Sequence, residues 1–188
     1  MADEKDTSAT KSRSVFVSGD FDEKQAKEVI NKLFELENEN PLKDIIMFID
    51  SYGGACDSFI AIHDIMKIIR CDIATVCIGK AMSCGQMLLI SGQKNKRFIT
   101  PNSRVLIHSI SSWTCGHVRD MENDIEEVKR LQKVFEKLII KYTNITPSQL
   151  KKIMSKDSYM DAETCLKWGI IDAIIDSPKE LYNKVRII

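Results

Sequence analysis

Hydrophobic positions along the chain switch repeatedly between two rhythms. Residues 14–19 (Ser-Val-Phe-Val-Ser-Gly) read as a short strand closed by glycine, and 22–37 follow with apolar residues at Ala26, Val29, Ile30, Leu33, Phe34 and Leu36, which is helical spacing. Ile45-Ile46-Met47-Phe48-Ile49 is an unbroken apolar run between turn signals, the pattern of a strand buried on both faces. Gly53-Gly54 breaks it ahead of a helix over 57–69. Residues 73–78 repeat the strand pattern, end at Gly79 and lead into a helix over 83–89, so two strand-to-helix turns carry small residues at equivalent places. A third buried strand, Val105-Leu106-Ile107, runs directly into His108.

Charge dominates the stretch 121–142, but Ile125, Val128, Leu131, Phe135, Leu138 and Ile139 form one apolar stripe on a long amphipathic helix that needs a partner surface. Thr146-Pro147-Ser148-Gln149 predicts a capped helix start with proline at its first position. A further helix over 161–168 stops at Gly169, and a last strand occupies 170–175. Strands alternate with helices throughout, with neither repeat nor linker, so the expected class is α/β. The expected organisation is a flexible tail over residues 1–13 and one domain over 14–188.

Composition narrows the partners. The 27 basic and 27 acidic side chains cancel, which removes the positive field that nucleic acid or an anionic membrane surface calls for. No apolar run approaches the roughly 20 residues of a membrane-spanning helix. The six cysteines are scattered without a C-x-x-C pair or a secretory leader and read as reduced, packed thiols in a cytoplasmic protein that needs no metal or cofactor.

Ser83 lies in Gly79-Lys80-Ala81-Met82-Ser83-Cys84-Gly85, a strand-to-helix turn with small residues on either side that can present its hydroxyl outward. A hydroxyl becomes a nucleophile only beside a base. Of three histidines, His63 falls inside an amphipathic helix and His117 in a polar stretch, while His108 ends a buried strand, where functional groups gather in α/β sheets. At the turn, the backbone N–H of Cys84 is free to receive an oxyanion, and Gly54 in the earlier glycine turn is the natural second donor. Local pattern does not separate Asp157 from Asp161 or Asp172 as the group that would orient the histidine.

Taken together, these segments resemble the proteolytic subunit of the Clp protease family from about Ser14 to Asp176. The family's D/N-S-P-G-G turn corresponds to Asp50-Ser51-Tyr52-Gly53-Gly54, and its G-x-A-x-S-x-G/A turn to the segment holding Ser83. Its P-N-S-R-x-M-I-H stretch corresponds to Pro101-Asn102-Ser103-Arg104-Val105-Leu106-Ile107-His108, and its closing D-x-x-M…G-L-I-D motif begins at Asp157. The resemblance implies a crotonase-like fold with a protruding helix-strand handle and a Ser83–His108–Asp157 triad with Gly54 and Cys84 as oxyanion donors. It also implies a serine endopeptidase acting on protein or peptide substrates inside stacked heptameric rings, with the long helix in the handle between rings.

Three departures stand out. Only MADEKDTSATKSR precedes the first strand, without the family's pore loop and helix, which argues against docking to a Clp-type AAA+ ATPase. Tyr52 replaces the proline of the oxyanion turn. Ser109-Ile110 replaces the Q-P after the histidine. Two other readings remain at this level: a non-catalytic ring subunit, and an acyl-CoA enzyme of the crotonase class, which the serine and histidine at triad positions disfavour.

Overall fold

A computed structural model describes residues 12–187. The elements run β1 (Ser14–Phe21), α1 (Glu23–Glu39), β2 (Ile45–Gly54), α2 (Cys56–Ile68), β3 (Ile73–Met82), α3 (Cys84–Ile90), β4 (Arg97–Ile99), β5 (Arg104–Ile107), α4 (Val118–Tyr142), α5 (Pro147–Ile153), β6 (Ser158–Met160), α6 (Ala162–Lys167), β7 (Ala173–Ile174) and α7 (Pro178–Tyr182). The expected α/β class is the one observed. Most of the expected tail, residues 1–11, lies outside the described residues. Arg13, at its end, is anchored: its guanidinium donates to the carbonyls of Leu36, Asn40, Lys43 and Asp44.

Seven strands form one sheet in the order β1-β2-β3-β4-β7, with β5 attached to β3 and β6 attached to β5. All ladders are parallel except β5–β6. The unbroken apolar run in β2 is explained by burial on two faces. Ile45, Met47 and Ile49 join the main core with Leu33 and Leu36 of α1 and Phe59 and Ile62 of α2. Ile46 belongs instead to a smaller core on the opposite face, with Val76, Phe98, Ile175 and Leu181. Alternation vanishes because neither face meets water.

The sheet forks at β3. Its first half pairs with β4 (Thr75 opposite Arg97), and its second half, beyond Gly79, pairs with β5 (Lys80 opposite Arg104, Met82 opposite Leu106). The strand pattern ends at Ile78, but pairing with β5 carries β3 on to Met82 and so delivers its end beside the end of β5. The last expected strand shrinks to Ala173–Ile174, because Ile170 donates its N–H back to the Cys165 carbonyl (2.9 Å) and is spent on closing α6. Strands β4 and β6, three residues each, are too short for periodicity to reveal.

The long helix begins at Val118, three residues earlier than its pattern suggests, and only its C-terminal part is buried, at Phe135 and Ile139. Its other end protrudes with Ile125 exposed, and residues 108–117 run beside it without regular structure. Two bonds tie that segment to the helix: Ile110 N–H to Gln132 Oε1 (2.8 Å) and Thr114 Oγ1 to Asp124 Oδ2 (2.5 Å). No helix among the described residues is long and apolar enough to cross a membrane.

Candidate active site

Three sheet features converge on one small cavity. Ser83, at the junction of β3 and α3, has φ 53 and ψ −124, a conformation that a residue with a side chain adopts only at a cost of about 1–3 kcal/mol. The surroundings enforce it. Its N–H donates to the Leu106 carbonyl (3.1 Å) and its carbonyl accepts from Met87 N–H (3.2 Å), so both sides of the turn are fastened.

Gly53 lies against this turn. A Cβ there would sit 2.8 Å from both the Met82 carbonyl and Ser83 Cβ, and its φ of 105 is open only to glycine. At Gly54 a Cβ would fall 1.9 Å from the Phe21 carbonyl. The glycine pair is thus required by the approach of β1 on one side and of the serine turn on the other. Fully buried Ser51 braces it, accepting from Gly53 N–H (2.9 Å) and donating to the Gly19 carbonyl (2.5 Å). Tyr52, where proline would fix the backbone, is held differently: Lys80 Nζ lies 4.3 Å from its ring centroid while pairing with Asp50 Oδ1 at 2.7 Å.

Strand pairing also separates the three aspartates that the local pattern leaves equal. The β5–β6 ladder sets Leu106 opposite Tyr159 and Ile107 opposite Ser158, so one step further brings His108 and Asp157 together. His108 Nδ1 and Asp157 Oδ1 are 3.9 Å apart, an ion-pair distance too long for a hydrogen bond. The Asp157 side chain is 66% exposed. Asp161 is occupied as the N-cap of α6, accepting from Thr164 N–H at 2.8 Å. Asp172 is held by Arg97, whose Nε and Nη2 donate to its two oxygens at 2.9 and 2.6 Å. Burial works against its charge, but the Arg97 bonds outweigh this and hold the carboxyl below its ordinary range. Arg97 Nη1 also donates to the Tyr142 carbonyl (2.6 Å), so one buried guanidinium clamps the end of α4 to the residue just before β7. That clamp brackets the segment carrying Asp157.

The cavity, of about 60 Å³, is lined by Ser83, His108, Gly54 and Cys84 and walled by Met87, Phe135, Ile139 and Met154. Cys84 and Cys56 both border it. A hydrogen bond with Cys56 and then burial push the Cys84 thiol far up, so it stays protonated, while the same bond lowers Cys56. All six cysteines are free. His63 is spent elsewhere, its ring paired with Tyr142 Oη (3.0 Å) and Asp64 Oδ1 (2.8 Å), and His117 caps α4 by position alone. Among the described residues no group of three or more His, Cys, Asp or Glu side chains could hold a metal ion.

A strained serine at a strand-to-helix turn, a histidine in the same cavity and a carboxylate beside it are the group types with which serine hydrolases work. Comparison with known proteins supplies the family. Residues 3–178 match the family model described as Clp protease. The chain is 35% identical over 170 residues to the ATP-dependent Clp protease proteolytic subunit of Deinococcus radiodurans, covering 90% of this chain and 83% of that protein. The chain belongs to the Clp protease family, and its fold is that of the family's proteolytic subunits. Of the residues singled out from sequence, Ser83, His108, Gly54 and Cys84 border one cavity and Asp157 adjoins His108. Arg97 carries no sequence signal for the clamp its surroundings make of it.

Proposed function

We propose that this chain is the proteolytic subunit of an assembled serine endopeptidase, with residues 14–188 as the peptidase domain. Ser83 attacks the scissile carbonyl, and His108 takes its proton and returns it to the leaving amine. Asp157 orients the imidazole and stabilises its charged form. The N–H groups of Gly54 and Cys84 receive the oxyanion, and water then releases the acyl group from Ser83. The observation that carries this reading is the strained Ser83 turn facing His108 in one cavity, with Asp157 alone among the neighbouring aspartates left available.

The exposed apolar end of α4, with Val118 67% and Ile125 47% exposed beside Trp113 at 83%, supports self-association through a handle, and a heptameric ring or ring pair is the assembly the family implies. Substrates are unfolded proteins or peptides small enough to enter such a chamber, in the cytoplasm. A Clp-type ATPase partner is suggested by the Deinococcus relative, which is an ATP-dependent Clp protease subunit.

The test is cleavage of short fluorogenic peptides by the assembled protein and its Ser83→Ala variant. Loss of about 10⁶-fold in kcat with unchanged assembly is expected. Cleavage by Ser83→Ala at the parental rate overturns the assignment. A parent protein that assembles but cleaves nothing points to a non-catalytic subunit, and acyl-CoA binding in its place to the crotonase reading.

A further inference from the structure

Apart from Ser83, His108, Ser111 and the Cys56 and Cys84 thiols, the candidate active-site cavity has one further polar lining residue. Gln86, the third residue of α3, lines the cavity together with Ser83, Met87, Phe135 and Ile139. The residue is 1% exposed, and its Nε2 is buried without a hydrogen-bond partner among the described residues. An unpaired amide N–H in a core is costly, and such groups are rare in folded proteins unless something outside the resting chain satisfies them. Backbone packing gives no reason for the amide: its helical neighbours Met87, Leu88, Leu89 and Ile90 are all apolar and buried in the core, and a hydrocarbon would suit the position.

We infer that Gln86 reads the substrate side chain on the acyl side of the scissile bond, and that this subsite takes a carboxamide, glutamine or asparagine, in preference to a purely aliphatic residue. This deepens the proposed peptidase reading and rests on it. The acyl-side residue is the one whose carbonyl must sit between Ser83 and the Gly54 and Cys84 N–H groups, so its side chain enters the space these residues share with Gln86. A carboxamide complements another carboxamide in either orientation, accepting from one amide N–H and donating to the facing oxygen. A leucine side chain would bury Gln86 and expel any water serving it without replacing that bond. Discrimination of this kind is strong because the penalty falls on the wrong ligand.

The experiment measures kcat/KM of the assembled protein on fluorogenic tripeptides that differ only in the acyl-side residue: glutamine, asparagine, methionine and leucine. Gln86→Leu and Gln86→Met are assayed beside the parent, with fluorophosphonate labelling of Ser83 scored on every preparation. The expected result is glutamine favoured over leucine by roughly 10- to 100-fold in the parent, with the ratio inverted in both variants while labelling is unchanged. Leucine equal to or above glutamine in the parent, or a ratio that neither variant moves, overturns the role of Gln86 while labelled Ser83 leaves the peptidase reading standing. Absence of both cleavage and labelling in the parent overturns the two together. Because Gln86→Met keeps the volume nearly constant, a folding defect in Gln86→Leu does not rescue the idea.

Discussion

The two halves of the candidate site are built in opposite ways. The nucleophile half is part of the core: Ser83 is fixed through its own N–H and carbonyl, Gly53 admits no side chain, and Ser51 braces the glycine turn from below. In the histidine half the imidazole ends the buried strand β5, but its carboxylate hangs on a three-residue edge strand, β6, exposed and 3.9 Å from the imidazole. Strain can be stored only where the surroundings over-determine the backbone, which is why the positive φ belongs to Ser83. The other half is free to tighten when substrate or a neighbouring subunit arrives, and hydrogen bonds between catalytic groups are often long before that.

Disturbing the rigid half should cost most. For Gly53→Ala the added methyl meets the Met82 carbonyl and Ser83 Cβ at 2.8 Å, so the turn must shift. Loss of an aligned oxyanion donor gives a fall of about 10²–10³ in kcat, read on a peptide substrate with KM little changed. Arg97→Met tests the clamp that brackets the loose half: it leaves the partly buried Asp172 carboxylate with only Lys94 and the backbone N–H of residue 97, and the Tyr142 carbonyl without that donor, for an expected loss of about 2–3 kcal/mol in denaturant unfolding. Asp157→Asn should matter less than in a tightly bonded triad, where the change costs about 10⁴. Because the carboxylate is exposed and not hydrogen-bonded to His108, about 10² in kcat is expected, and a larger loss would show that the pair closes fully during turnover.

The smallest effect concerns pH. Asp172 titrates below its ordinary value of 3.8 when folded, so the unfolded chain takes up protons first as the solution is acidified. Its contribution to stability is therefore complete above the ordinary carboxylate value and drains away as pH falls below it through the lowered folded value. Arg97→Met should flatten that slope in urea titrations between neutral and acid pH.

Much of this organisation is legible in the sequence, and the exceptions have physical causes. The runs at 45–49 and 73–78 announce buried strands because both sheet faces are covered, and the glycines at 53 and 54 announce a close approach because no other residue fits. Asp157 is not separable from Asp161 and Asp172 by local pattern, since all three are turn-forming aspartates near helix ends. Only the β5–β6 register and the competing demands of Thr164 and Arg97 single it out. The Arg97–Asp172 pair joins residues 75 positions apart and leaves no trace in periodicity. Gln86 reads as an ordinary polar position in a short helix until its burial is known.

The central claim is that Ser83 is an activated nucleophile, and the most direct measurement is mass-spectrometric mapping of a fluorophosphonate adduct on the assembled protein. A single adduct on the peptide containing Ser83, lost in His108→Ala, is the expected result. A folded, assembled protein that takes no adduct, or takes it on another residue, would contradict the account.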